Sequence, residues 1–188
     1  MSQPGMTEFT PRTKAAVIDP VPMPPDPPFA VDERETLITF LDYYRAVLAR
    51  KAAGLTRAQL AVTLPPSDMS IGGLLKHMAL VETNWFVRNW RGLDEGEPWA
   101  SADWDADPDW DFHSAAEDEP EQLLALYIGA IERSRKAIEG CDDLAATAES
   151  RGRVISLRWM LVHMIEEYAR HAGHADLLRQ SIDGAVGD

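Results

Sequence analysis

Four stretches of about twenty residues carry apolar side chains at helical spacing, and a glycine follows each. The first runs from about Asp32 to Ala53, with Leu37, Phe40, Leu41, Tyr44, Val47 and Leu48 recurring on one side. Asp32 suits its N-cap, Glu35 follows three residues later, and Gly54 suits its stop. The second runs from about Ser70 to Arg91, opened by Asp68 or Ser70 and closed by Gly92. The third runs from about Pro120 to Glu139, with proline in the first turn and Gly140 at the end. The fourth runs from about Leu157 to Ser181, with Ser156 as N-cap and Gly184 just beyond. Strand signals amount to short pieces such as Val154-Ile155. Four amphipathic helices with almost no strand bury their apolar faces against one another, so the expected fold is all-α, a four-helix bundle.

A length of 188 residues suits one domain plus a tail. The tail is the first 30 residues, which hold eight of the 13 prolines. Proline blocks helix and sheet alike, so residues 1–30 read as an extended arm and residues 31–188 as the domain. No apolar run reaches membrane-spanning length, and the first residues lack an apolar signal core, so a cytoplasmic protein is expected. The single cysteine, Cys141, excludes an internal disulfide and a Cys-rich zinc module. It follows Gly140 and reads as structural. The net charge of −13 argues against nucleic acid and against anionic membrane surfaces as partners. A small-molecule substrate is the remaining expectation.

The charge is concentrated. Between Arg91 and Arg133 there are 13 acidic residues and no lysine or arginine. This covers the long crossover between the second and third helices, about residues 92–119, which ought to be functional or partly disordered at that length. Its alternating aspartates (Asp103, Asp105, Asp107, Asp109 and Asp111) invite a calcium reading. The EF-hand loop needs glycine at its sixth position, and counting from Asp105 or Asp107 puts Trp110 or Phe112 there. Two readings stay open: a solvated loop pinned by Trp99, Trp104 and Trp110, or a lid over a cleft in the bundle.

Three of the five histidines fall in the last helix. On a wheel of about 100° per residue with His163 at zero, Glu167 lies near 40°, His171 near 80° and His174 near 20°. An ionisable stripe thus sits where a bundle helix should be apolar, and burial of such groups demands a cation, a hydrogen-bond network or a metal. His77 in the second helix sits among Leu74, Met78, Val81 and Trp85. Glu167 and His171 are four apart, so both can reach one ion, and His77 can join them from the facing helix. Two imidazoles and one carboxylate suit zinc with a fourth position open, while nickel, iron and manganese accept the same set. His163 and His174 are supporting partners or alternative ligands. His113 receives no role.

Two stretches resemble a known family. Residues 66–86, from Pro66 through His77 to Phe86, resemble the second helix of the DinB-like superfamily, closest to its actinobacterial mini-circle and mycothiol-dependent transferase branch. Residues 163–179, with Glu167, His171-Ala-Gly and His174, resemble its last helix more specifically. The resemblance runs from about Val31 to Gly184. It implies a four-helix bundle of DinB-like type and a divalent metal held by His77, Glu167 and His171. Many members use three histidines, and here glutamate stands at the middle position, as in the mycothiol-dependent maleylpyruvate isomerases. The resemblance also implies a homodimer and a thiol S-transferase that uses mycothiol or a similar low-molecular-weight thiol against small electrophiles. A metal-activated thiolate would be the nucleophile, with His174 or water taking its proton. A metal-dependent hydrolase and a non-catalytic binding or stress protein are the alternatives. Arg88 and Arg91 could meet the cofactor.

Overall fold

The computed structural model describes residues 16–19 and 21–187. Residues 1–15 and 20 of the proline-rich arm lie outside them. Its described part is anchored: Ile18 is buried in the core, and its carbonyl accepts from the Gly54 amide at 2.8 Å.

Four long helices carry the domain: α1 (Glu33–Ala52), α3 (Ile71–Glu82, extended by a π-helical segment Thr83–Trp90), α5 (Pro120–Ala137) and α6 (Leu157–Asp183). Short helices α2 (Arg57–Leu60) and α4 (Trp110–His113) lie between them. The principal packed pairs are α1 with α6 and α3 with α5, and α3 also meets α1 and α6. All four enclose one core, which includes Leu41, Leu74, Met78, Tyr127, Leu161 and Tyr168.

The expected caps form. Asp32, Ser70 and Ser156 each accept from the backbone N–H three residues on, satisfying a donor that the first turn leaves free. Gly184 closes α6 with φ 80°, a left-handed conformation that costs glycine nothing. The second helix departs from expectation. It runs as α only to Glu82 and then widens into the π segment. Such widening recurs at functional sites because it changes which side chains share a face.

Glu82 sits at that junction, wholly buried. Arg45 of α1 grips its carboxylate with two bonds, Nε to Oε1 at 2.7 Å and Nη2 to Oε2 at 2.8 Å. The Tyr168 hydroxyl of α6 donates to Oε1 at 2.8 Å, and the Tyr127 hydroxyl of α5 donates to the Arg45 carbonyl at 2.9 Å. One carboxylate therefore ties α3 to α1 and α6, and the Tyr127 bond carries the link on to α5.

Two further features complete the fold. Strands β1 (Thr147–Ser150) and β2 (Arg153–Ser156) pair antiparallel, with Ser150 opposite Arg153. Their two-residue turn, Arg151-Gly152, has positive φ at both positions (51° and 72°), the twist-compatible hairpin turn. Arginine in that conformation costs about 1–2 kcal/mol relative to glycine. The acidic crossover, in turn, is ordered along α3. Trp99, Asp111 and Ala115 are buried, the Trp99, Trp104 and Trp110 rings meet edge to face, and Lys76 donates to Asp118 at 2.6 Å with its ammonium over the Trp110 ring.

Candidate active site

The histidine stripe of α6 faces α3 and its π-helical extension, His171 against His77 and His163 against Trp85. His77 and His171 meet edge to face, ring centroids 5.0 Å apart. Glu167 approaches His171 on the same helix, Oε2 to Nε2 3.5 Å, as the four-residue spacing requires. His174 lies on the other side of His171, with 3.4 Å between the two Nδ1 atoms. His77, Glu167, His171 and His174 thus form one continuous group.

His163 extends it outward. Its Nε2 is 3.6 Å from Glu167 Oε1 and its Nδ1 3.6 Å from Glu166 Oε2. Its ring is stacked on Trp159, centroids 5.0 Å apart, with Trp85 edge-on at 4.7 Å. Among the described residues, the group whose ligand atoms all fall within 4.8 Å of one another is His163, Glu166 and Glu167. The carboxylate of Glu167 thus borders two possible donor sets: the outer one with His163 and Glu166, and the expected inner one with His171 and His77, whose ligand atoms do not all come within that distance of one another. The outer set includes an exposed glutamate that also pairs with Arg170. The inner set is better shielded from solvent.

Sequence reasoning missed Asp111. It belongs to α4, is buried, and its Oδ2 lies 2.7 Å from His77 Nδ1. A carboxylate only accepts, so Nδ1 carries the proton, and in the neutral ring Nε2 keeps its lone pair. Phe112 stacks on the other side of the ring at 4.5 Å. A carboxylate behind a histidine is the arrangement that orients metal-ligating imidazoles and raises their basicity. No signal in the alternating aspartates separates Asp111 from its neighbours. Packing of the tryptophans and Phe112 selects it. His113, also without an expected role, pairs with Asp107 at 2.9 Å, and that bond raises its pKa above the usual histidine value.

The electrostatics suit ligation. Burial first, then His77 and His174 beside it, push the His171 pKa down to about 4. A neutral imidazole is the form that binds a metal. The sign of its linkage is definite: between the ordinary value of 6.5 and about 4, the unfolded chain takes up a proton that the folded chain refuses. This site's contribution to stability is therefore full above pH 6.5 and falls as the pH drops toward 4. In chelator-treated protein, NMR of the His171 ring should show no titration until the pH approaches 4, and denaturant midpoints should fall across that window. A ring titrating near 6.5 would contradict the burial drawn here.

The fold and site define a helical protein with a His/Glu group able to take a divalent ion. The mycothiol-S-transferase family matches residues 36–184, most of the chain, and the protein belongs to that family, within the DinB-like superfamily. A comparison with curated proteins found no significant match. Among the described residues no helix is long and apolar enough to cross a membrane.

Proposed function

We propose that the protein is a metal-dependent mycothiol S-transferase, built on the DinB-like four-helix bundle and acting on a small electrophile. The observation that carries this reading is His171 in contact with both His77 and Glu167, with Asp111 fixed behind His77. Two imidazoles and a carboxylate suit zinc, with nickel, iron and manganese as alternatives. A divalent ion held by these three residues would supply Lewis acidity, lowering the pKa of a thiol so that it reacts as thiolate.

The chain's own residues do the rest. Asp111 and Phe112 fix the plane and tautomer of His77. Burial keeps His171 neutral across physiological pH. His174, in contact with His171 and half-buried, is placed to accept the thiol proton and pass it to solvent. The crossover docks on the His77 side of the site through Asp111 and Phe112.

The test is conjugation of a chromogenic electrophile with and without mycothiol, on protein of measured metal content. Thiol-dependent product that disappears on chelation and returns with zinc is expected. Product formed equally well without thiol would sink the transferase reading and favour the hydrolase.

A further inference from the structure

Beside the His163 end of the stripe the surface opens into a cleft between the hairpin and the π segment. One lobe, about 400 Å³, is apolar, with Val154 and Ile155 on one side and Trp85 and Trp159 on the other. The second, about 320 Å³, shares Trp85, Arg153 and Ile155 with the first and adds Asn89, Ser150 and Arg151. Together they form one bipartite groove around Trp85. Its tryptophan wall is continuous with the active site, because both indoles pack on His163, which borders Glu167.

Two features point to an occupant. The apolar lobe leaves large hydrophobic surface uncovered: Trp159 is 51% exposed and Val154 73%. The polar lobe holds two guanidiniums, Arg151 and Arg153, neither with a carboxylate within 4.0 Å among the described residues. In a chain of net charge −13, where most described arginines pair with an acid, that is a local cationic spot. Arg151 is also held in a left-handed turn that asparagine or glycine would fit without strain.

We infer that this cleft takes the electrophilic substrate, and that the substrate is a flat apolar ring bearing a carboxylate. The inference rests on the transferase reading above. The ring lies in the apolar lobe against Trp85 and Trp159, where aromatic pairing adds to burial. The carboxylate meets Arg153 and Arg151, whose planar fork matches its two oxygens. The reactive carbon is thereby directed along the tryptophan wall toward Glu167 and His171. For an aryl chloride the chemistry balances: the C–S bond forms, the C–Cl bond breaks, chloride leaves with the electron pair, and the thiol proton passes to solvent.

The experiment separates binding from turnover. Calorimetric titration of the intact protein, without thiol, compares 4-nitrobenzoate with nitrobenzene. The expected result is tighter binding of the anion. Arg151→Ala with Arg153→Ala should raise the Kd of 4-nitrobenzoate by about tenfold or more and leave nitrobenzene within about twofold. Trp159→Ala should weaken both. Arg151→Asn should raise thermal stability while weakening the anion, which a merely structural arginine would not do. Equal affinities for the two probes, or arginine variants that bind like the parent, would overturn the inference. So would displacement of 4-nitrobenzoate by mycothiol, which would assign the cleft to the thiol. A turnover arm uses 4-chloro-3,5-dinitrobenzoate with mycothiol. Binding without thiol-dependent product sinks the transferase reading and leaves the anion cleft standing. Product without anion selectivity does the reverse.

Discussion

Glu82→Ala should be the most destabilising single substitution in the buried network, costing on the order of 3–5 kcal/mol. The cause is specific. Truncation leaves the Arg45 guanidinium almost wholly buried without the carboxylate that receives two of its bonds. It also strips the Tyr168 hydroxyl of its acceptor. For a domain of this size such a loss lowers Tm on the order of 10 °C. Asp42 retains its bond to Arg45 Nη1 at 2.9 Å but cannot replace the bidentate grip. Denaturant midpoints of Glu82→Ala, Arg45→Met and the double variant Arg45→Met with Glu82→Leu would check this. The double variant should recover much of the loss, because an apolar pair leaves no unpaired charge. A single variant costing under about 1 kcal/mol would contradict the picture of a buried ion pair whose partners depend on each other.

The second large effect concerns the metal. His77→Ala and His171→Ala should each reduce metal content from about one equivalent to near zero, since a three-ligand site rarely survives loss of an imidazole. Thiol-dependent turnover should fall with it. Asp111→Asn should keep the ligands in place and weaken metal affinity by about 10- to 100-fold, the usual consequence of removing the carboxylate behind a histidine ligand. The measurement is metal per chain by mass spectrometry after dialysis, with circular dichroism to confirm the fold. The competing donor set supplies the opposing result. Should both histidine variants keep full metal while His163→Ala or Glu166→Ala loses it, the ion belongs to His163, Glu166 and Glu167 instead.

The helical frame was legible because periodicity and end signals are local. Asp32, Ser70, Ser156 and Gly184 act within a few residues of themselves, and each does what its chemistry requires. The stripe of α6 was legible for the same reason: His163, Glu167, His171 and His174 share one face by helical geometry alone. His77 depended on the meeting of two helices, yet its apolar company already marked it as inward-facing. The switch to π geometry after Glu82 leaves no trace in an α-periodic reading of Thr83–Trp90. The hairpin was missed because Thr147–Ser150 is short and polar, and arginine is a poor announcement of a left-handed turn. Asp111 was one acid among many. Its burial depends on Trp99, Trp110 and Phe112 closing over α3, a long-range fact that spacing does not contain.

The widened end of the second long helix gives the molecule a form of modularity. His77 and Glu82 lie on its α-helical part, while Trp85 and Asn89 lie on its π part. A one-residue insertion or deletion after Glu82 would swing the cleft wall to a new heading without moving His77 or the buried carboxylate. The proposed metal ligand and one wall of the proposed cleft are thus carried by one continuous rod, with Trp85 joined to the histidine stripe through His163. A change of helical phase there would alter which side chains line the cleft while leaving His77 where it is.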